Sequence, residues 1–276
     1  MLKARVITAL VLIGILLPSL FWLPQLYWAL LLGAFIGIAA WEWGALLAWN
    51  SPARIFLGVV VSAICATVTS LAPSALGIED FLPVQPWVLV LYGLSTAFWC
   101  LVIPFWLKKR WALGGASGLL VGAVVLLPTW LAMVQLRAIG PEVLLAVFAV
   151  VWIADIAAYF AGRRFGKKKL APEISPGKTW EGAYGAMLGV LCYGLLLGHY
   201  FLAERIVLSL WVLILLIVTA ISIVGDLFES LLKRKAGIKD SSNILPGHGG
   251  VLDRIDSLTS TLPLVTFVTL LYFYQA

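Results

Sequence analysis

Nine stretches of the chain hold almost no charge over the length of a membrane-spanning helix, and the polar residues collect in the gaps between them. The stretches run approximately over residues 6–23, 26–47, 55–76, 87–107, 113–136, 143–160, 183–202, 206–227 and 258–274. Each approaches the roughly 20 residues that an α-helix needs to cross hydrocarbon, and each is bounded by Pro, Gly or charge clusters. One reversal is tight, since only Leu23, Pro24 and Gln25 lie at the turn between the first two runs. The pattern predicts an all-α integral membrane protein, a polytopic bundle of about nine transmembrane helices without internal repeats. Residues 1–276 read as a single polytopic membrane domain, with mainly hydrophobic helices over 1–140 and the charged, site-bearing loops over 141–276.

Composition points the same way. Apolar residues make up 62% of the chain and Asp, Glu, Lys and Arg 12%, against roughly 45–50% and 25% in an average soluble domain. Cys65, Cys100 and Cys192 stand singly in apolar runs, so neither a disulfide framework nor a thiolate metal site is indicated, and two histidines are too few for a zinc cluster. The first apolar run lacks a small-residue cleavage site and is expected to be a retained helix. Trp22, Trp28, Trp87 and Trp106 are expected to form an aromatic belt.

Charge then tests the helix count. With nine spans and a cytoplasmic N-terminus, seventeen of the 19 Lys and Arg residues fall on the cytoplasmic side and only Arg137 and Arg205 on the other. An error of one helix would scatter these clusters over both faces, against the tendency of basic residues to stay inside. The net charge of +6 is therefore largely a basic cytoplasmic face beside anionic headgroups.

Two inner loops, residues 162–181 and 225–257, are long, punctuated by Gly and Pro and dense in charge, which is where function is expected. Acids at the ends of apolar helices are costly unless they have a partner or a purpose. Asp155 has Tyr159 and Gly162 one and two turns on; its alternative role is an ion pair with a nearby Lys or Arg. Asp226 shares a helical face with Ser222, Ser230 and Lys233, a stripe suited to a wet cavity. The second loop adds Lys239, Asp240, the turn Pro246, Gly247, His248, Gly249 and Gly250, and then Asp253, Arg254 and Asp256. Asp226, Asp253 and Asp256 are the oxygen ligands that a hard divalent cation takes. The Gly-rich turn and the helix after it could present amide N–H groups to phosphate. His248 is a candidate base or a phosphate-contacting group. The segment from Gly162 to Lys167 has the wrong glycine spacing for a phosphate-binding P-loop, and no strand is expected before it.

The segments 230–234, 239–240 and 245–256 together closely resemble the signature of the phosphatidate cytidylyltransferases, the CDP-diacylglycerol synthases, and residues 155–167 and 175–182 resemble further blocks of that family. The resemblance implies transfer of CMP from CTP to phosphatidic acid, giving CDP-diacylglycerol and pyrophosphate in phospholipid biosynthesis. It implies Mg²⁺, with a second metal ion conceivable, held by Asp226, Asp253 and Asp256. Lys239 and Asp240 belong to the catalytic group it suggests. Asp155, Arg163, Lys167, Lys178, Ser230, Lys233, Arg234, His248, Gly249, Gly250 and Arg254 are the candidate contacts to CTP or to the lipid phosphate. The expected partners are CTP, phosphatidic acid and membrane lipids, with no nucleic acid and with a homodimer as the open option for assembly. The expected location is a bacterial inner membrane with the site facing the cytoplasm.

Two other classes compete for the same residues. A polyprenol kinase would share basic loops and acidic metal ligands but not the full signature. A transporter would use Asp155 and Asp226 as coupling sites near the bilayer midplane, whereas both fall near cytoplasmic helix ends.

Overall fold

The computed structural model describes residues 2–201 and 207–273. Among these residues the chain forms nine helices: α1 (Leu2–Trp22), α2 (Gln25–Leu46), α3 (Ser51–Leu71), α4 (Pro86–Lys109), α5 (Gly115–Ile139), α6 (Pro141–Phe165), α7 (Trp180–Phe201), α8 (Leu208–Lys235) and α9 (Leu252–Phe273). Eight are long and apolar enough to cross a membrane, and α1 adds a shorter apolar segment, Val6–Trp22. The all-α polytopic architecture expected from the apolar runs is the one observed. Leu202, Arg205, Ile206 and Tyr274, which bound or flank expected spans, lie outside the described residues.

Two boundaries differ in a way that matters for the site. Helix α8 continues two turns beyond residue 227, and α9 begins six residues before 258. Hydropathy registers only the lipid-like part of a helix, while these ends stay helical because their charged side chains pair inside the protein. The loop between α6 and α7 also holds a short antiparallel hairpin, β1 (Lys169–Ala171) and β2 (Ser175–Thr179), with Lys169 opposite Thr179 and Ala171 opposite Ser175.

Helices α2, α5 and α9 form the buried centre, with 61%, 72% and 61% of their apolar stretches inside the protein, against 17% for the peripheral α3. Indole N–H groups bind α2 to α5: Trp43 donates to the Gly118 carbonyl at 2.9 Å and Trp130 to that of Ala29 at 3.0 Å. Trp28 and Trp106 are core residues and not part of an interfacial belt, because their N–H groups are satisfied inside, by Met133 and Trp111 carbonyls. Trp22 and Trp87 are exposed.

Prolines within helices leave a carbonyl one turn back without its amide partner, and in a bilayer water cannot replace it. Pro128 in α5 frees the Val124 carbonyl, which accepts the buried Ser95 hydroxyl of α4 at 3.1 Å. Pro263 in α9 does the same for Thr259, whose carbonyl lies 3.4 Å from the Thr129 hydroxyl of α5. Pro104 in α4 coincides with a π-helical turn over Phe98–Val102.

Side-chain contacts order the two ends of the bundle. Thr8 of α1 donates to the Pro246 carbonyl, Arg110 pairs with Glu173, and Glu42 of α2 reaches the α8–α9 loop, so the connections bearing most of the charge share one end. At the opposite end Arg137 donates to the Leu20 and Leu23 carbonyls and, at 2.6 Å, to Gln25. One of the two basic residues on the sparsely charged side is thus spent closing the α1–α2 reversal.

Candidate active site

Small residues bring α6 and α7 close together. A Cβ at Gly185 would overlap the Ala161 side chain, and one at Gly189 would come within 2.8 Å of Ala157. This approach, typical of helices that pack in lipid, brings the hairpin against α8. Thr179 caps α7 by accepting the Gly182 N–H at 3.1 Å, and Glu181 accepts the amides of Lys167 and Lys168 at 3.0 and 3.2 Å. The hairpin base is thereby tied to the first helical turn, and Lys178 points from β2 toward α8. Its ammonium lies 2.5 Å from Asp226 Oδ2.

Around Asp226 the predicted acids converge. Ser230 donates to Asp226 Oδ1 at 3.2 Å. Asp155 of α6 is exposed and close enough to Asp226, Lys178 and Arg254 to interact with each electrostatically. Asp256 of α9 faces both Asp226 and Glu229. Three helices and the hairpin thus place four carboxylates, Asp155, Asp226, Glu229 and Asp256, around two cations, Lys178 and Arg254.

Lys233 turns away from the Asp226 stripe. Its ammonium, 12% exposed, lies 3.0 Å from Glu229 and 2.6 Å from Asp253, so the structure spends it on a buried three-member ion cluster. Asp253 is equally engaged: Oδ1 takes Lys233, while Oδ2 lies at hydrogen-bonding distance from the Ser241 amide (2.9 Å), the Ser241 hydroxyl (2.9 Å) and the Gly250 amide (2.8 Å). The α8–α9 loop is therefore folded around this carboxylate.

Three amides at the end of the Gly-rich turn and the start of α9, expected to be open to phosphate, are filled from within. Gly250 N–H goes to Asp253, and the Val251 and Leu252 amides go to Glu42 at 3.0 and 2.6 Å. The glycines are required by this packing. Gly247 and Gly249 have φ of 75° and 80°, and a Cβ at Gly249 would lie 2.6 Å from Asp253 Oδ2. At Gly250 it would lie 2.6 Å from the Glu42 carboxyl carbon. His248 is half-buried, and its Nδ1 has no hydrogen-bond partner among the described residues.

The remaining predicted residues stand at the periphery. Arg163 donates to the Tyr159 hydroxyl at 2.9 Å instead of meeting the acids. Lys167, Arg234, Lys239 and Asp240 are exposed around the charged end of the bundle. Glu42, Glu229 and Ser241 were not anticipated. Each acid is the lone charge in an apolar helical stretch or sits one turn from a predicted acid, and the cost of burying such a group is the signal that could have marked it.

Among the described residues no three His, Cys, Asp or Glu side chains close on a point that could hold a metal ion. The donors nonetheless suit Mg²⁺, which binds through one or two carboxylates and completes its shell with water and substrate phosphate. Asp226 and Asp256 are oxygen donors at the cluster's centre, with the buried carboxylate of Glu229 beside them.

Comparison with known proteins extends this description to the whole chain. The model of the Cytidylyltransferase family matches residues 3–272. A phosphatidate cytidylyltransferase of Pseudomonas aeruginosa is 42% identical over 280 residues, covering 99% of this chain and 97% of that protein. One from Haemophilus influenzae is 36% identical over 296 residues, covering 99% of both. One from Staphylococcus saprophyticus is 44% identical over 134 residues, 49% of this chain and 51% of that protein. With the match running through every helix and across the acidic cluster, the chain belongs to the cytidylyltransferase family.

Proposed function

We propose that this protein transfers CMP from CTP to phosphatidic acid, forming CDP-diacylglycerol and pyrophosphate at the charged end of the bundle. The observation that carries the reading is the convergence of Asp226, Lys178, Asp155, Asp256 and Arg254, from four separate elements, at one end of helices otherwise built for lipid. Both reactants are anions, so the site must hold phosphates together, and mixed carboxylates and cations are suited to that.

In the reaction a phosphatidate oxygen attacks the α-phosphorus of CTP. The bond from that phosphorus to the bridging oxygen breaks, and pyrophosphate departs with the electron pair. The nucleophile is already ionised, so no group has to remove a proton. Lys178 and Arg254 would neutralise phosphate charge, and the exposed Lys239 and Arg234 would serve the triphosphate or the lipid headgroup. Asp226 and Asp256 would hold Mg²⁺, with Asp253 able to contribute only through Oδ1, which it shares with Lys233. When bound, the ion would neutralise charge developing on the phosphoryl oxygens. Because the Val251 and Leu252 amides at the start of α9 are taken by Glu42, side-chain cations, with Mg²⁺ when bound, would hold the substrate phosphates in place of that helix end.

The charge sorting supports placing this end in the cytoplasm, and the bacterial relatives favour a bacterial inner membrane. Purified protein given CTP, Mg²⁺ and phosphatidate is expected to release pyrophosphate and form CDP-diacylglycerol. Release of CDP with phosphorylation of an added lipid alcohol would mean a kinase and overturn the reading.

A further inference from the structure

Glu42 is the one charged residue of α2, lies between two tryptophans in sequence, and is fully buried. A buried carboxylate is costly unless its oxygens are satisfied. Here they are satisfied by a single segment about 200 residues away. Oε1 takes the Ser242 hydroxyl at 2.5 Å and the Val251 amide at 3.0 Å, and Oε2 takes the Leu252 amide at 2.6 Å. The Ser241 hydroxyl stands between Glu42 Oε2, at 3.2 Å, and Asp253 Oδ2, at 2.9 Å. Two acids from opposite halves of the chain thus share one loop. Glu42 fixes both ends of the turn that Asp253 fixes from inside, and its charge lies against the positive end of the α9 dipole.

We propose that Glu42 is a positioning residue for the transfer site, holding the α8–α9 loop and the first turn of α9 so that Asp253, and with it Lys233 and Asp256, stand where the reaction needs them. The inference rests on the proposed cytidylyl transfer. Glu42 touches no reacting atom; it acts through Ser241, Ser242 and the amides of α9. An amide cannot replace it, because each oxygen accepts a backbone N–H, and whichever became NH₂ would point a donor at a donor. Aspartate is one methylene short of the same partners.

The test uses the full chain in detergent–lipid micelles with CTP, Mg²⁺ and phosphatidate. Glu42→Gln keeps the volume of the side chain and is expected to lower kcat per folded molecule by roughly tenfold or more, with KM for CTP changed far less. Combined with Ser241→Ala it should lose less than the product of the two single effects, because both act through the same loop. Amide exchange over residues 241–256 should quicken in Glu42→Gln. Wild-type kcat in folded Glu42→Gln, with unchanged exchange over the loop, would overturn the proposal. If Glu42→Gln does not fold, Ser242→Ala, which removes the 2.5 Å bond alone, must lower kcat severalfold, and an unaltered value overturns the proposal. If the wild-type protein makes no CDP-diacylglycerol, the reaction assigned above falls instead, and the loop-holding role is decided by the exchange measurement.

Discussion

Asp226 and Asp253 carry the same carboxylate in different settings, and their substitutions should differ accordingly. Asp226 hydrogen-bonds to Ser230, pairs with Lys178, lies near Asp155 and Asp256, and is partly open. Asp226→Asn is therefore expected to leave a stable, folded protein whose turnover drops by orders of magnitude, at about 1.4 kcal/mol per tenfold. Asp253 is 3% exposed in its side chain and holds Lys233 and three donors of its own loop. Asp253→Asn leaves a buried ammonium with one acid fewer, a class of change that costs roughly 3–5 kcal/mol, so turnover and thermal stability should fall together. Thermal unfolding followed beside pyrophosphate release separates the two residues. A stable, inactive Asp253→Asn would show that the loop does not depend on it. Asp226, Ser230 and Asp256 could be read from acids beside apolar runs, and Lys178 from the family resemblance alone. Lys233 was also named, but its partners were not, because Glu229 and Asp253 converge on it only once α8 and α9 pack. Glu42 escaped because its meaning lies in a contact across the whole sequence.

At the scale of elements, apolar length located the helices but not their charged ends, so α8 and α9 were read too short where the site lies. The hairpin between α6 and α7 was also missed, since strands of three and five residues holding Pro176 resemble a loop by composition. Its importance is mechanical: Lys178 is carried by β2, and β2 runs directly into α7, whose seat against α6 depends on glycine. Gly185→Leu is expected to force α7 away from Ala161 and to lower both thermal stability and turnover, while the distant Gly14→Leu, on an open face of α1, changes neither. Thr179→Ala removes the α7 cap, a loss of about 1 kcal/mol, and should lower the unfolding temperature slightly while weakening phosphatidate or CTP use through Lys178. Unchanged kinetics in Thr179→Ala would mean that β2 holds Lys178 without help from the cap.

For the molecule as a whole, the membrane decides which end can do chemistry. The sequence placed seventeen basic residues on one side, and packing joins the connections of that side through Thr8 with Pro246, Arg110 with Glu173, and Glu42 with Val251 and Leu252. Arg137, on the other side, is bound to carbonyls of the α1–α2 turn, so its position is set by packing and does not weaken the sorting. On this sorting we expect nine crossings, with the N-terminal end of this chain and the site in the cytoplasm and the C-terminal end on the opposite side. Single cysteines at Ser51 and Gly114, in a protein whose native cysteines are replaced by serine, should react with an impermeant thiol reagent only after the membrane is opened. One at Asp80, in the α3–α4 connection, should react from outside in intact cells. Labelling of all three from the same side would require that neither α3 nor α4 crosses, leaving seven crossings and overturning the nine-span topology. Outside labelling at Ser51 and Gly114 with protection at Asp80 would invert the molecule, placing the acidic cluster away from cytoplasmic CTP and removing the proposed reaction with it.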